Sequence, residues 1–356
     1  MNVVIACGGT GGHIFPGVAV GRALRARGHE VTLWLGGRQV ESLSTATWDG
    51  AVVRIRAAGF PSGLSFRSIG VACRLVLSIL SCWRRMRRER PDVVVAMGGY
   101  ASVGPGIAAH WLRIPLVLHE SNAVPGRAVL LLSRYAAVTA LGFAAAADYF
   151  YGRRTAVTGF PLRRNLAGSA PLAGLDPKLF TLLVMGGSQG AHALNVMVSE
   201  AICSQAQQEP GLQVVHLSGA VDQAEIQARY DATGVSAKVH AFLVDMGGAY
   251  AVADLAICRA GAASCAELVL CGVPALLVPL PTAARDHQRA NAVAMVVAGG
   301  ADMIEQAELS IEMLIRYIAA CRQDASQLEK KRAALAGMDC GAADALLCEL
   351  IEEVVG

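Results

Sequence analysis

The chain has 356 residues, of which 54% are hydrophobic and 17% charged, and its formal net charge is +3. So small a charge does not favour nucleic acid as a partner, since nucleic-acid-binding domains concentrate positive charge on one face. The 10 cysteines include no Cys-x-x-Cys pair, which favours reduced thiols in a cytoplasmic protein over a zinc site or a disulfide framework. The first strand begins at once, without a basic segment or a cleavage site, so no signal peptide is predicted. The length favours two domains.

Short apolar runs alternate with longer segments of helical periodicity, which is typical of stacked βαβ units with parallel sheets. The predicted strands are, in chain order, Asn2–Ala6, Glu30–Leu35, Val52–Arg56, Val93–Met97, Leu116–His119, Ala137–Ala140, Thr181–Met185, Gln213–Leu217, Lys238–Phe242, Leu255–Cys258 and Ala275–Val278. Predicted helices include Pro16–Arg27, Ala191–Ala206 and Ala342–Val355. The stretch Val157–Leu166, with its glycine and proline, indicates a strand end followed by a hinge.

Both halves of the chain open on a strand, a pair of glycines, a small hydroxyl residue and a further glycine. The corresponding positions are Gly8, Gly9, Thr10 and Gly12 in the first half and Gly186, Gly187, Ser188 and Gly190 in the second. This repetition predicts two Rossmann-like domains with parallel sheets that face one another across a cleft. Backbone N–H groups at such strand-to-helix turns bind phosphate. Neither loop has the lysine of a P-loop, and Ile14 breaks the dinucleotide fingerprint in the first.

A third glycine cluster, Met97–Gly106, follows another strand, so more than one phosphorylated group is expected in the cleft. The sequence has no Asp-x-Asp triplet, and we therefore expect neither a metal nor another cofactor. Helix dipoles and arginines, such as Arg163 and Arg259, are expected to meet the phosphate charge. Polar residues also follow other strands, where a tight turn explains some but not all of them. These are His119, Glu120, Ser121, Asn122, Glu267, Asp286 and Gln288.

In combination these motifs resemble the MurG family of GT-B glycosyltransferases. They are GGTGGH from Gly8, MGGY from Met97, HESN from His119, GGSQGA from Gly186, CRAGA from Cys258 and DHQRANA from Asp286. The resemblance implies an N-terminal domain, residues 1–160, for the acceptor and the membrane, and a C-terminal donor domain, residues 166–335. It also implies that a last helix, residues 341–356, packs back on the first domain.

The same resemblance implies transfer of N-acetylglucosamine from UDP-N-acetylglucosamine to lipid I, the undecaprenyl-diphosphate-linked muramoyl-pentapeptide, giving lipid II for peptidoglycan. It assigns the donor to Thr10, Gly11, Gly12, Asn122, Arg163, Ser188, Val244, Ala262, Ala263, Ser264, Glu267 and Gln288. Gly9, Gly12, Gly98, Gly99 and Tyr100 are expected at the acceptor. Ser188 would face the donor phosphates, Val244 the uracil and Glu267 the ribose. The chain departs from the family pattern at Ala260, Ala263 and Ser264.

Inverting transfer needs a general base for the acceptor hydroxyl. His13 is one candidate, because imidazole titrates near neutral pH. Glu120 is the other, either as the base or as the group that orients it. Two further readings stay open: another GT-B enzyme of UDP-sugars, such as a glycolipid synthase or a UDP-N-acetylglucosamine epimerase, and a non-catalytic nucleotide-sensing protein of the membrane surface.

The stretch Ser68–Asp92 predicts an amphipathic helix that ends in a basic cluster. Its apolar face contains Ile69, Ala72, Val76, Ile79, Leu80 and Trp83, and its basic cluster contains Arg84, Arg85, Arg87, Arg88 and Arg90. The pattern is typical of a helix lying on an anionic membrane surface, and it is too interrupted to predict a spanning helix. We therefore expect a peripheral protein on the cytoplasmic face of the inner membrane.

Overall fold

The computed structural model describes residues 1–8, 11–36, 48–55, 66–162, 166–187, 190–208, 211–338 and 342–356. It divides the chain into two compact units. The first comprises Met1–Arg163 together with Cys340–Gly356, and the second comprises Arg164–Asp339.

The first unit is built on a parallel sheet of seven strands in the order β3-β2-β1-β4-β5-β6-β7. The strands are β1 Asn2–Cys7, β2 Glu30–Leu35, β3 Ala51–Arg54, β4 Val93–Ala96, β5 Leu116–Glu120, β6 Val138–Leu141 and β7 Thr155–Val157. The helices are α1 Gly11–Ala26, α2 Phe66–Glu89, α3 Val103–Leu112 and α4 Arg127–Leu132, with 3₁₀ turns at Tyr100–Ser102 and Ala144–Phe150. The inner strands are largely apolar because helices cover both faces of a parallel sheet.

The second unit repeats this plan with six parallel strands in the order β10-β9-β8-β11-β12-β13. The strands are β8 Phe180–Met185, β9 Leu212–Leu217, β10 Ser236–His240, β11 Leu255–Cys258, β12 Ala275–Leu277 and β13 Ala301–Met303. The helices are α5 His192–Gln208, α6 Gln223–Thr233, α7 Met246–Val252, α8 Ala262–Cys271, α9 His287–Val297, α10 Ile311–Gln323 and α11 Ala325–Ala336, with a 3₁₀ turn at Ala284–Asp286. The predicted α/β class with two Rossmann-like sheets is confirmed.

In each sheet the strand order reverses once, between β1 and β4 and between β8 and β11. Ligands of open parallel sheets bind outside the carboxyl ends of the strands at this reversal. In the first unit the turns at that point are those after Cys7 and after Ala96, and in the second those after Met185 and after Cys258. The glycine clusters therefore occupy the two positions where the topology favours a ligand.

The last helix, α12 Ala343–Val355, packs on the first unit although it follows the second in sequence. Leu347 and Ile351 are buried in the same apolar cluster as Leu24 of α1. Its carboxylate Glu352 accepts hydrogen bonds from Arg27 at 2.8 Å and from His29 at 2.9 Å. Apolar burial and ion pairing together hold this helix against α1.

The structure differs from the sequence-based elements at three places. The short strands β7 and β13 were not among the predicted ones, since three residues are too few for a period of two to be recognised. Helix α1 begins at Gly11, five residues before the predicted start at Pro16. His13 therefore lies in the first turn of the helix and not in the preceding loop.

Candidate functional site

The imidazole of His13 lies against the turn formed by Gly98 and Gly99. A Cβ atom on Gly98 would lie 3.2 Å from Cε1 of the ring, and one on Gly99 would lie 3.0 Å from Cδ2. Both glycines have positive φ angles, 90° and 70°. The buried Ser102 hydroxyl donates to the Gly98 carbonyl at 2.6 Å and fixes the turn. Only glycine allows the ring to approach the main chain so closely at this point.

A second histidine, His119, is fully buried at the end of β5. Its Nε2 lies 3.1 Å from the carbonyl of Gly159, so the proton is on Nε2. Burial lowers the pKa of His119 to about 4, and the nearby His13 acts in the same direction. The ring is thus neutral at physiological pH, and its Nδ1 lone pair faces the Ser121 hydroxyl at 3.4 Å. A neutral His119 does not repel a proton that arrives on His13.

The loop after β5 also meets the first turn of α1. Pro16 has no N–H, so the carbonyl of Gly12 lacks its usual partner one turn later in the helix. The Ser121 hydroxyl lies 3.5 Å from that carbonyl. The serine therefore joins the HESN segment to the segment that bears His13.

Glu120 is buried, and its carboxylate is engaged by the loop that follows it. Oε1 accepts from the backbone N–H of Asn122 at 2.9 Å and from its side-chain amide at 3.2 Å. Oε2 accepts from the N–H of Gly126, the residue before α4, at 2.8 Å. Three donors on one carboxylate favour a role in shaping the 121–126 loop. Of the two candidate bases, His13 is the one that lies against the Gly98–Gly99 turn.

The remaining acceptor-side residues lie at the same edge of the first sheet. Gly11 and Gly12 open α1, and Tyr100 follows the glycine turn with 44% of its surface exposed. Gly9, Thr10, Arg163 and Ser188 lie outside the described residues, so the roles predicted for them stay predictions.

In the second unit the glycine loop is compact and closely packed. A Cβ atom on Gly190, whose φ is 77°, would lie 2.3 Å from the carbonyl oxygen of Ser218 at the end of β9. One on Gly186 would lie 2.5 Å from the backbone nitrogen of Ala191. Side chains are thus excluded on both sides of this loop, and its N–H groups stand at the start of α5.

A buried polar network holds the Ser218 carbonyl that packs against Gly190. Asn195 donates to the Ser218 carbonyl at 2.8 Å and to the carboxylate of Asp222 at 2.7 Å. Its oxygen accepts from His216 Nε2 at 3.2 Å, and the Tyr230 hydroxyl donates to the other ring nitrogen at 2.9 Å. Burial lowers the pKa of His216 to about 3, so the ring is neutral. Every member that orients the Ser218 carbonyl is thus itself hydrogen-bonded.

Helix α8 starts three residues after β11, at the reversal of the second sheet. Its first residues are small: Ala262 is buried, and Ala263 and Ser264 are half-buried. Glu267 lies less than two turns into the helix and is partly exposed. Its Oε2 accepts a hydrogen bond from the hydroxyl of Tyr250 at 2.8 Å.

Two further donor-side residues lie near neighbouring strand ends. Gln288 accepts the N–H of Leu280 with its Oε1 at 3.0 Å, which leaves the amide nitrogen to donate elsewhere. Val244 is 75% exposed, directly before Asp245, the residue that caps α7 by accepting from the N–H of Gly248. The backbone around Val244 is therefore held by the cap while its side chain faces solvent.

Arg259, which the sequence predicts to meet phosphate charge, contacts the neighbouring strand in the structure. Its guanidinium is buried, with Nη1 donating to the carbonyls of Val278 and Pro279, each at 3.1 Å, and Nη2 donating to Gln306 at 2.5 Å. Burial lowers its pKa from the ordinary value. The cation stabilises the carboxyl end of β12, and its role at a phosphate stays a prediction. In the described ranges, no cluster of three or more His, Cys, Asp or Glu side chains is arranged to hold a metal ion.

Comparison with known proteins places the chain in a family. Residues 3–141 match the N-terminal domain of glycosyltransferase family 28, and residues 181–345 match its C-terminal domain. The chain belongs to glycosyltransferase family 28. This match supports the predicted resemblance to MurG. Curated relatives and a solved MurG structure confirm it.

Among curated relatives of this family 28 chain is the UDP-N-acetylglucosamine–N-acetylmuramyl-(pentapeptide) pyrophosphoryl-undecaprenol N-acetylglucosamine transferase of Anaeromyxobacter sp. (strain Fw109-5). It is 41% identical over 90% of this chain and 84% of its own length. The enzyme of the same name from Geobacter sulfurreducens is 36% identical over 99% of this chain and 98% of its own length. The crystal structure of Acinetobacter baumannii MurG superposes with a TM-score of 0.80 at 29% identity, covering 99% of both chains.

A UDP-N-acetylglucosamine 2-epimerase structure also superposes, with a TM-score of 0.71 at 13% identity over 98% of this chain and 95% of its own. That likeness shows the shared fold alone.

Some residues of this family 28 site escape sequence reasoning. Tyr250 supports Glu267, and Asn195 supports the Ser218 carbonyl, through contacts across the fold. Ser102 lies within the Met97–Gly106 cluster, but its bond to the Gly98 carbonyl was not predicted. Their one signal is the occurrence of a hydrogen-bonding side chain within an otherwise apolar segment, which is too common to be selective.

The described side chains of helix α2 that are buried are not those of the apolar face predicted from its sequence. The buried residues are Ser78, Cys82 and Met86, one per turn, and Ser78 faces Gly104 of α3. Val76 and Leu77 are exposed, at 53% and 60%. Of the predicted apolar face, Ile79, Leu80 and Trp83 are half-buried, Ala72 and Val76 are exposed, and the Ile69 side chain lies outside the described residues.

The described ranges contain no helix with the length and apolar character needed to cross a membrane.

Proposed function

We propose that this chain transfers N-acetylglucosamine from UDP-N-acetylglucosamine to lipid I, giving lipid II for peptidoglycan synthesis. The observation that carries the proposal is the identity to transferases of that name, 41% over 90% of the chain in one case and 36% over 99% in another. The epimerase alternative rests on a fold likeness at 13% identity. A non-catalytic role leaves the close fit of His13 on the glycine turn without a purpose.

The first step is removal of a proton from the acceptor hydroxyl by His13. As the neutral imidazole accepts the proton, the hydroxyl oxygen attacks the anomeric carbon and the bond from that carbon to the diphosphate breaks with inversion. The Gly98–Gly99 turn fixes the plane of the ring. Because His119 is neutral, the developing imidazolium meets no fixed positive charge from that side.

The leaving UDP carries the negative charge that the reaction produces. Backbone N–H groups of the Gly186–Gly190 loop and the N-terminus of α5 are the groups we assign to its phosphates. The polar network through Asn195 fixes the Ser218 carbonyl that packs against Gly190, so this part of the site needs little reorganisation when charge develops. The chemistry of this donor set requires no metal ion.

The nucleoside half of the donor is assigned to α8 and to the segment before α7. The small residues Ala262–Ser264 allow the nucleotide to lie close to the helix, and Glu267 accepts hydrogen bonds from the ribose hydroxyls. Val244 offers its exposed main chain to the uracil. Gln288 and Asn122 are assigned to the transferred sugar, and Tyr100, Gly98 and Gly99 to the acceptor.

We further propose that α2 and α3 form the surface that rests on the cytoplasmic face of the inner membrane. The exposed Val76 and Leu77 lie on the same helix as the exposed arginines Arg84, Arg85, Arg87 and Arg88. Leu77, Leu80, Arg84, Arg85 and Arg88 line one groove of about 570 Å³. Apolar side chains beside arginines suit a surface that contains anionic lipid headgroups.

Trp111 extends this surface onto α3. It is 55% exposed and lies seven residues after Gly104, hence on the side of α3 that meets α2. Tryptophan is enriched at membrane interfaces, where its apolar ring and polar N–H are both accommodated.

Transfer is tested by incubating the protein with labelled UDP-N-acetylglucosamine and a lipid I analogue and measuring labelled glycolipid. His13→Gln is expected to retain affinity for UDP and to lose at least about a hundredfold in kcat, since general base catalysis contributes about that much. His110→Ala, which removes an exposed histidine on α3, is the control and should keep its activity. Donor binding without any glycolipid from the wild-type protein would contradict the proposal.

Membrane association is tested by flotation with vesicles of phosphatidylcholine alone or mixed with phosphatidylglycerol. The pair Arg84→Glu and Arg88→Glu should abolish recovery with the anionic vesicles, whereas Arg134→Glu, an exposed arginine outside α2, should change it little. Equal loss in both variants would show that net charge, and not this surface, determines binding.

A further inference from the structure

Tyr250 is a buried tyrosine of α7 whose hydroxyl reaches the carboxylate of Glu267 on α8. The side chain is 2% exposed, and the distance from its oxygen to Glu267 Oε2 is 2.8 Å. The sulfur of Met185, the last residue of β8, lies 3.5 Å from the same oxygen. A phenol has one proton to donate, and a carboxylate at 2.8 Å is a far stronger acceptor than a thioether at 3.5 Å. The proton therefore goes to Glu267.

The tyrosine stays a donor throughout the physiological range. Burial, together with the adjacent carboxylate, raises the pKa of Tyr250 well above its ordinary value. Its phenol is thus never ionised where the enzyme works, and the hydrogen bond to Glu267 is a permanent feature of the folded unit.

The hydrogen bond from the phenol fixes one oxygen of the carboxylate. A carboxylate has about four acceptor positions, and the phenol occupies one on Oε2. Ordering a partly exposed glutamate side chain on ligand binding costs conformational entropy, and a fixed hydrogen bond reduces that cost. With Oε2 held, Oε1 is directed before the ligand arrives, which suits the two adjacent hydroxyls of a ribose.

The bond also joins two parts of the donor site that sequence separates. Tyr250 lies six residues after Val244, on the short helix capped by Asp245, whereas Glu267 lies on α8. A displacement of α7 would therefore move the carboxylate as well as the segment assigned to the uracil.

We propose that Tyr250 is a positioning residue that holds Glu267 in the rotamer that recognises the ribose hydroxyls and couples it to the base-reading segment. The inference rests on the proposed function, because it assigns the donor nucleoside to this unit. Tyr250 makes no contact with the nucleotide itself in this proposal and acts through the glutamate.

The test measures binding of UDP and of 2′-deoxy-UDP by calorimetry to the wild-type protein and to Tyr250→Phe. Loss of the positioning bond should weaken UDP about tenfold, the size expected for one hydrogen bond to a charged group. The 2′-deoxy ligand should lose less, so that the ratio of the two affinities narrows. In transfer assays the KM for UDP-N-acetylglucosamine should rise by a similar factor, while kcat stays within about twofold.

Tyr317→Phe is the matched control. Its hydroxyl also donates to a carboxylate, that of Asp302 at 2.7 Å, but on α10 and β13, away from the donor residues. This variant should lose comparable thermal stability and bind both ligands as the wild type does. If Tyr250→Phe and Tyr317→Phe are equally stable but only the first binds UDP more weakly, the loss of affinity comes from the position of Glu267 and not from loss of folded protein.

The glutamate itself supplies the decisive comparison. In a Glu267→Ala background, which removes the acceptor of the phenol, adding Tyr250→Phe should cost little further affinity for UDP, because the tyrosine acts through the carboxylate. An equal cost in both backgrounds, an unchanged affinity of Tyr250→Phe for UDP, or an unchanged ratio between UDP and 2′-deoxy-UDP would each overturn the inference. Binding is measured without acceptor. Failure of the transfer assay alone would therefore contradict the proposed reaction, while the effect of Tyr250→Phe on the affinity for UDP would still test the role of the tyrosine.

Discussion

Replacement of Gly99 by alanine tests whether the glycine turn holds the base. Gly99 has φ 70° and ψ 176°, a combination that is essentially restricted to glycine. An added Cβ atom would lie 3.0 Å from Cδ2 of His13 and 3.1 Å from the carbonyl oxygen of Gly8. Neither neighbour is the free end of a flexible chain, so the imidazole or the main chain must move by a few tenths of an ångström.

The two consequences have separate magnitudes. Backbone strain at such a residue costs about 1–3 kcal/mol of unfolding free energy. Misplacement of a catalytic group by about 1 Å costs about a hundredfold in rate, so a shift of a few tenths should lower kcat by about tenfold. The affinity for UDP, whose binding is assigned to the second unit, should be unchanged.

The assay compares kcat with urea denaturation for Gly99→Ala and for Gly152→Ala. Gly152 has a nearly equal φ of 71°, but nothing lies within 4 Å of its added Cβ atom. The control should lose about 1–2 kcal/mol of stability and no activity. If Gly99→Ala is destabilised yet keeps the wild-type kcat, the contact between the turn and His13 does not position the base, and the reasoning is refuted.

Three further predictions concern the helix α12, the phosphates and the thiols. The hydrogen bond from His29 and the charge of Arg27 hold the pKa of Glu352 below its ordinary value of 4.5, so its stabilising effect should be complete above that pH and vanish as the pH falls through the lowered pKa. The urea denaturation curves of wild type and Glu352→Gln should therefore differ at pH 7 and converge once the pH lies below the lowered pKa. Transfer should persist in excess EDTA, because backbone N–H groups meet the phosphate charge; complete loss that magnesium restores would contradict this. Iodoacetamide at pH 8 should label the exposed Cys73 in the native protein, whereas Cys258, with its pKa raised to about 12 by burial, should react only after denaturation, as mass spectrometry of peptides would show.

The sheet architecture is predictable from the sequence because each inner strand is a short, largely apolar run. Predictions for Glu30–Leu35 and Leu255–Cys258 match the observed strands residue by residue. The start of α1 is not predictable in this way, since Gly11 and Gly12 disfavour a helix and Pro16 is typical of a helix start. Packing decides it: a Cβ atom on Gly17 would lie 2.9 Å from the sulfur of Cys7, so the helix is drawn directly onto β1.

Arg259 illustrates why part of the site is not predictable. A cationic residue at a strand end beside a glycine loop is typical of phosphate binding, and the local pattern contains nothing against it. The carbonyls of Val278 and Pro279 belong to another strand, and only the pairing of β11 with β12 brings them within reach of the guanidinium. Tyr250 escaped for the same reason, because its partner Glu267 lies on another helix.

The two glycine loops share a strand-turn-helix arrangement and differ in the group that this arrangement holds in place. In the second unit, Asn195 and its partners fix the Ser218 carbonyl against Gly190, and Ala191 follows where the first unit has His13. The carbonyl supported in this way packs against Gly190, and the next residue, Ala191, has a methyl side chain that cannot exchange protons.

In the first unit the glycines that matter most belong to a different turn, Gly98–Gly99, and what they hold is an imidazole. The same strand-turn-helix frame thus supports charge stabilisation in one unit and proton transfer in the other. The substitution that separates the two roles is the single side chain after the last glycine. His13→Ala should therefore leave the first loop with the character of the second, that is, with N–H groups that can bind an anion and without a base.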